Sequence, residues 1–170
     1  CYFMLSAACR ELMITENFRS VTQRMAICCD KCGRSPQDVH LICVTKQASI
    51  EQMEEALAAG ATVFGENRVQ DALKKYEIIG DKVKWNLIGH LQTNKAKDAV
   101  KMFSLIHSVD SLHLAEEIDK QAAKINKTQD ILIQVSTSGE ESKFGIRPEE
   151  VDDLLKKLLA YRHISIKGFM

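Results

Sequence analysis

The chain has 170 residues, enough for one domain with its own core. Its apolar share of 45% and charged share of 27% are ordinary for a globular protein. The 23 Lys plus Arg are matched by 23 Asp plus Glu, so overall charge gives no argument for nucleic acid or an anionic membrane as partner, and no apolar run approaches the ~18 residues of a membrane-spanning helix.

The first ten residues are mildly apolar but lack a basic leader, which argues against a secretory signal. Residues before about Met13 read as an extension. Phe18, Val21, Met25, Cys28 and Cys29 then recur at helical spacing, predicting a helix over 16–32 with Thr15 as N-cap and Gly33 as stop. Strand and helix alternate from there. Residues 39–45 form a compact apolar strand. Ser49 opens a helix, with Gln52 completing a capping box, and Gly60 closes it. A strand over 61–64, a helix over 66–79 ended by Gly80, a strand over 83–88 and a helix over 93–102 follow. A strand over 104–107 precedes a helix capped by Asp110 and running to 125. Next comes a strand over 130–135. Pro148 opens a helix with Val151, Leu154, Leu155, Leu158 and Leu159 on one face, and 164–168 is the last strand. This alternation, with no hairpin signal, predicts an α/β protein with a parallel sheet in a single domain over 1–170. Periodicity does not decide between an open sheet and a barrel.

All six cysteines (Cys1, Cys9, Cys28, Cys29, Cys32, Cys43) fall in the first quarter of the chain. A disulfide framework would spread them. Cys29 and Cys32 form a lone C-x-x-C with no second ligand pair to complete a zinc site. The expectation is reduced structural thiols, no metal and a cytoplasmic protein.

In parallel α/β folds the functional groups follow the carboxyl ends of strands. Lys46 ends the first strand, where partial exclusion of water would favour the neutral amine, a nucleophile toward aldehydes. A solvated rim lysine is the bland alternative. Asn67 could bind a ligand oxygen or cap the next helix. His90 could donate to a ligand or cap. Lys143 lies in a polar loop, where a solvated charge is the default. Trp85 reads as core, and His107 and His113 need no ligand role. No dinucleotide, Walker, nucleophile-elbow or H-E-x-x-H motif is present.

Six segments in order resemble the YggS/PROSC-type pyridoxal phosphate homeostasis proteins. They are Leu41-Ile42-Cys43-Val44-Thr45-Lys46, Phe64-Gly65-Glu66-Asn67-Arg68-Val69-Gln70, Trp85-Asn86-Leu87-Ile88-Gly89-His90-Leu91-Gln92, Ser108-Val109-Asp110-Ser111, Gly139-Glu140-Glu141-Ser142-Lys143-Phe144-Gly145 and Gly168-Phe169-Met170. The resemblance implies a (β/α)₈ TIM barrel of the alanine racemase N-terminal type with an added N-terminal helix. It makes Lys46 the lysine that holds pyridoxal 5′-phosphate (PLP) as a Schiff base. It sets Asn67, His90 and Met170 at pocket-facing strand ends, with Lys143 in the fifth-strand loop. Asn86 departs from the family, which has His there, and the Pro usual after the PLP lysine is absent. A full barrel takes about 250 residues, so about six of eight strands are expected here. The family's phosphate-binding segments would lie beyond Met170.

The implied function is a PLP carrier in intracellular PLP homeostasis without catalysis of its own. PLP and PLP-requiring apoenzymes are its partners, and the full-length form is expected to be a monomer. A racemase-like PLP enzyme is the first alternative, set back by the lack of a second domain to supply the opposing acid–base group. A metal or redox module on Cys28, Cys29 and Cys32 is the second.

Overall fold

Each apolar strand of this chain hands over to an amphipathic helix that must cover it, and the fold follows from repeating that unit. The computed structural model describes residues 7–137 and 144–170. Its strands are β1 (Cys43–Val44), β2 (Val63–Glu66), β3 (Lys84–Leu87), β4 (Leu105–Val109), β5 (Gln129–Ile133) and β6 (Ile164–Phe169). The helices are α1 (Ala7–Lys31), α2 (Ile50–Ala58), α3 (Val69–Ile79), α4 (Ala96–Met102), α5 (Leu112–Lys124) and α6 (Val151–Leu158). Among the described residues, no helix is long and apolar enough to cross a membrane.

Every neighbouring pair of strands is parallel, and the order in the sheet is the order in the chain. The winding never reverses, which is the rule of a (β/α) barrel wall and not of a doubly wound sheet. Side chains alternate between two faces. On the helix-covered face Phe64, Trp85, Leu87, Ile106, Ile131 and Ile133 are all at most 1% exposed. They join Met53, Ala72, Ala99, Leu114 and Ile118 of the helices in one core. Burial of each large side chain there stabilises by about 1.5–3 kcal/mol. The register row Val44, Gly65, Asn86 marks the other face. A Cβ on Gly65 would come within 2.8 Å of Ile42 and 3.2 Å of Ile88, so only glycine fits that close approach.

Several local expectations hold. Ser49 and Gln52 form the capping box. Gly33 (φ 63°) ends α1, with Arg34 N–H donating to Cys29 O and Gly33 N–H to Asp30 O, a Schellman arrangement. Others need correction. α1 starts well before Glu16, and Thr15 lies inside it with its N–H donating to Glu55 Oε1 at 3.1 Å, so Thr15 is no N-cap. β1 spans two residues where seven were expected. Ser111, not Asp110, caps α5 by accepting from Leu114 N–H. Pro148 opens a 3-10 turn that leads into α6. Leu159 is 81% exposed and does not share the buried face of Leu154 and Leu158.

Candidate functional site

Because all six strands run the same way, their carboxyl ends share one edge of the sheet. Lys46 follows β1, Asn67 follows β2, His90 follows β3 and Met170 follows β6. The structure thus brings four of the five expected site residues to one edge. Lys143 lies outside the described residues.

Lys46 is exposed, as is Val44 before it at 53%. Exclusion of water by a buried strand, expected from the sequence, therefore does not describe its setting. No side-chain hydrogen bond or ion pair among the described residues engages its amine. Its neighbour Thr45 is the reverse: buried, with its hydroxyl donating to Glu66 Oε1 at 2.6 Å.

Asn67 is half-buried and does not cap the following helix, because α3 begins at Val69 with Arg68 at its N-cap. The capping reading fails. A Cβ on Gly89 would lie 2.3 Å from the Asn67 carbonyl oxygen and 2.8 Å from its Cα. Glycine at 89 therefore lets the β2 and β3 ends pass in contact. Gly89 O accepts from Ser108 Oγ at 2.7 Å, which ties the β4 end to the same place.

His90 does not cap a helix either, since Gln92 precedes the next turn. Its Nδ1 lies 3.6 Å from Asp110 Oδ2, within ion-pair range and beyond hydrogen-bond length. Its ring stacks on Phe144, with centroids 3.7 Å apart and planes at 12°. Asp110 was read from sequence as a helix cap and Phe144 was not singled out. The Ser-Val-Asp-Ser and Phe-Gly segments held the signal, but only the fold sets them beside the β3 end.

Below this edge, Asn86 Nδ2 and His107 Nε2 lie 3.1 Å apart, both residues 7% exposed. Burial pushes the His107 imidazole toward its neutral form, below its ordinary value. Trp85 is core, its indole N–H donating to Gly80 O at 3.0 Å. Cys28, Cys29, Cys32 and Cys43 are free thiols. Among the described residues, no group of three or more His, Cys, Asp or Glu gathers as a metal site.

The edge therefore offers an amine with no partner among the described residues, an amide, an imidazole near a carboxylate, and an aromatic face. An aldehyde-bearing aromatic ring with polar substituents fits that donor set, because the amine can bond the aldehyde carbon while the others meet the ring and its edge.

The family model for the alanine racemase N-terminal domain matches residues 17–170. The pyridoxal phosphate homeostasis protein of Aquifex aeolicus is 40% identical over 156 residues, 91% of this chain and 68% of the relative. The structure of PipY from Synechococcus elongatus with PLP bound superposes with a TM-score of 0.75 at 36% identity, covering 88% of this chain and 69% of that one. An alanine racemase of Clostridium difficile, 14% identical, superposes with a TM-score of 0.70 over 91% of this chain and 39% of its own, a likeness of fold alone.

Proposed function

The chain belongs to the alanine racemase N-terminal domain family, and from that premise we propose that it binds PLP and serves PLP homeostasis without catalysis of its own. Lys46 holds the cofactor as a Schiff base: the amine bonds the aldehyde carbon and water leaves. Asn67 and His90 would meet the ring and its substituents, and Met170 would line the β6 side. The observation that carries this reading is the Lys46 amine, without a partner among the described residues, on the same sheet edge as Asn67 and His90. Bound PLP supplies an electron sink, while a protein supplies position and proton donors. A carrier needs reversible attachment, which an imine on a lysine amine provides. The partners we assign are PLP and the PLP-requiring apoenzymes that receive it, and the setting is the reducing cytoplasm that its free thiols suit.

The test is chemical. PLP is added, the imine is reduced with borohydride, and the labelled peptide is mapped. The label is expected on Lys46 and is expected to vanish in Lys46→Ala. Label on another lysine, with Lys46 unmodified, would overturn the assignment.

A further inference from the structure

β1 is the shortest strand of the sheet, yet the residue between it and Lys46 is held by every polar group it has. The Thr45 N–H donates to Gly65 O at 3.0 Å. Its hydroxyl donates to Glu66 Oε1 at 2.6 Å, and its carbonyl accepts from Ala48 N–H at 2.9 Å and from Lys75 Nζ at 2.5 Å. Lys75 comes from α3 and also meets Glu66 Oε1 at 2.7 Å, with the two side chains 15% and 1% exposed. One ammonium group thus joins α3, the end of β2 and the end of β1.

A buried ion pair is a costly way to fasten a helix to a strand, since apolar residues of similar volume commonly do it as well. Here the cost is visible, because Glu66 Oε2 is buried with no hydrogen-bond partner among the described residues. Apolar replacements could pack α3 onto β2, but they could not grip a carbonyl and a hydroxyl. Both gripped groups belong to Thr45, one peptide unit from the Lys46 Cα.

We propose that Glu66 and Lys75 are positioning residues for Lys46: they clamp Thr45 and so fix the direction in which the Lys46 side chain leaves β1. The proposal rests on the reading of Lys46 as the PLP anchor. The Lys46 side chain is exposed, so its origin on the backbone is the part that the fold can hold. Amine and aldehyde react at a useful rate only when held at a suitable distance and angle, and supporting residues behind the reacting group provide that.

The test uses Glu66→Gln/Lys75→Met, which leaves no lone buried charge, and Lys75→Arg, which keeps the cation. Two quantities are read on the full chain. The first, without PLP, is amide exchange at residues 45–48 compared with Ile106 and Ile131. The second is the rate at which cyanoborohydride traps PLP on Lys46, followed by peptide mapping. In the double variant we expect exchange at Ala48 to rise and trapping to slow, each by about tenfold or more, with Ile106 and Ile131 unchanged. Lys75→Arg is expected to recover most of both. Trapping at the unaltered rate in the double variant would overturn the proposal alone. So would a rise in exchange shared equally by the whole sheet, which would make the pair a general structural tie. Trapping of PLP on a different lysine in the unaltered chain would overturn the anchor reading and the proposal with it.

Discussion

The four middle strands of the sheet and its two outer strands are built from similar residues in unlike surroundings. Phe64, Leu87, Ile106 and Ile131 of the middle strands are 0% exposed, while Val44 on β1 and Phe169 on β6 are 53% and 56% exposed. The middle strands carry most of the core and lead into Asn67 and His90; the outer ones add Ile164 to that core and lead into Lys46 and Met170. Cover thus lies along the strands, and the candidate chemistry lies at their carboxyl ends. A reactive side chain must be reached by its ligand, so it belongs at a strand end, and rigid strands can hold such an end in place.

The sharpest way to break this comparison is to cut into both regions with similar truncations. Trp85→Ala removes a 1%-exposed ring that packs edge-on against Phe64 and Tyr76. It should cost about 3–5 kcal/mol in urea unfolding. Phe169→Ala on β6 should stay within about 0.5 kcal/mol. Equal losses would mean that the outer strand is as much a part of the core as the centre.

Gly89→Ala probes the seam between the two regions. The added methyl would meet the Asn67 backbone at 2.3 Å, and neither partner is a side chain that can swing away. Overpacking of this kind costs about 1–3 kcal/mol. Because the displaced backbone is that of Asn67, PLP trapping on Lys46 should fall by more than the stability loss explains. Chemical unfolding and the trapping assay, run on the same sample, read the two separately.

A smaller effect comes from His107 beneath the edge. Its folded-state pKa is lowered, with burial as the cause. The unfolded chain, with an ordinary value of about 6.5, therefore binds the proton first as pH falls. The contribution is complete above that value and is lost as pH drops through it toward the folded pKa. The slope from this one group cannot exceed about 1.4 kcal/mol per pH unit. His107→Gln should flatten the stability profile between neutral and mildly acidic pH, as measured by urea midpoints. An unchanged slope would show that His107 is protonated equally in both states.

Much of the middle of the sheet was legible in the sequence, because continuous apolar runs and helix signals such as Ser49, Gln52, Gly33 and Gly80 act locally. Strand order was not, since it depends on which helix covers which strand and periodicity carries no such record. β1 was overcalled from its apolar composition. Among the described residues only Cys43 and Val44 of that run pair as strand, both with β2. The clamp on Thr45 was missed for a related reason. Glu66 was assigned to the following helix, where a glutamate needs no explanation, but it ends β2 with its side chain buried against Lys75. Lys46, Asn67 and His90 could be nominated because a single rule, that function follows the carboxyl ends of parallel strands, applies without knowledge of the order, and the family resemblance singled them out among the strand-end residues. Phe144 and Asp110 were not, because their pairing with His90 joins segments that lie far apart in the chain.

The smallest expected effect on stability belongs to Lys46, the residue proposed to hold PLP. Lys46 is exposed and its amine has no partner among the described residues, so Lys46→Ala removes neither buried area nor a hydrogen bond. Surface substitutions of this kind change stability by no more than about 0.5 kcal/mol, and the Thr45 clamp behind it is made by atoms the substitution leaves in place. The variant should therefore unfold at the urea midpoint of the unaltered chain while losing all reducible PLP label. A large loss of stability would show that the Lys46 side chain is part of the packing at β1, and the division between covered strands and reactive strand ends would have to be redrawn. Retention of label at full yield would leave the division intact and move the chemistry to a different lysine.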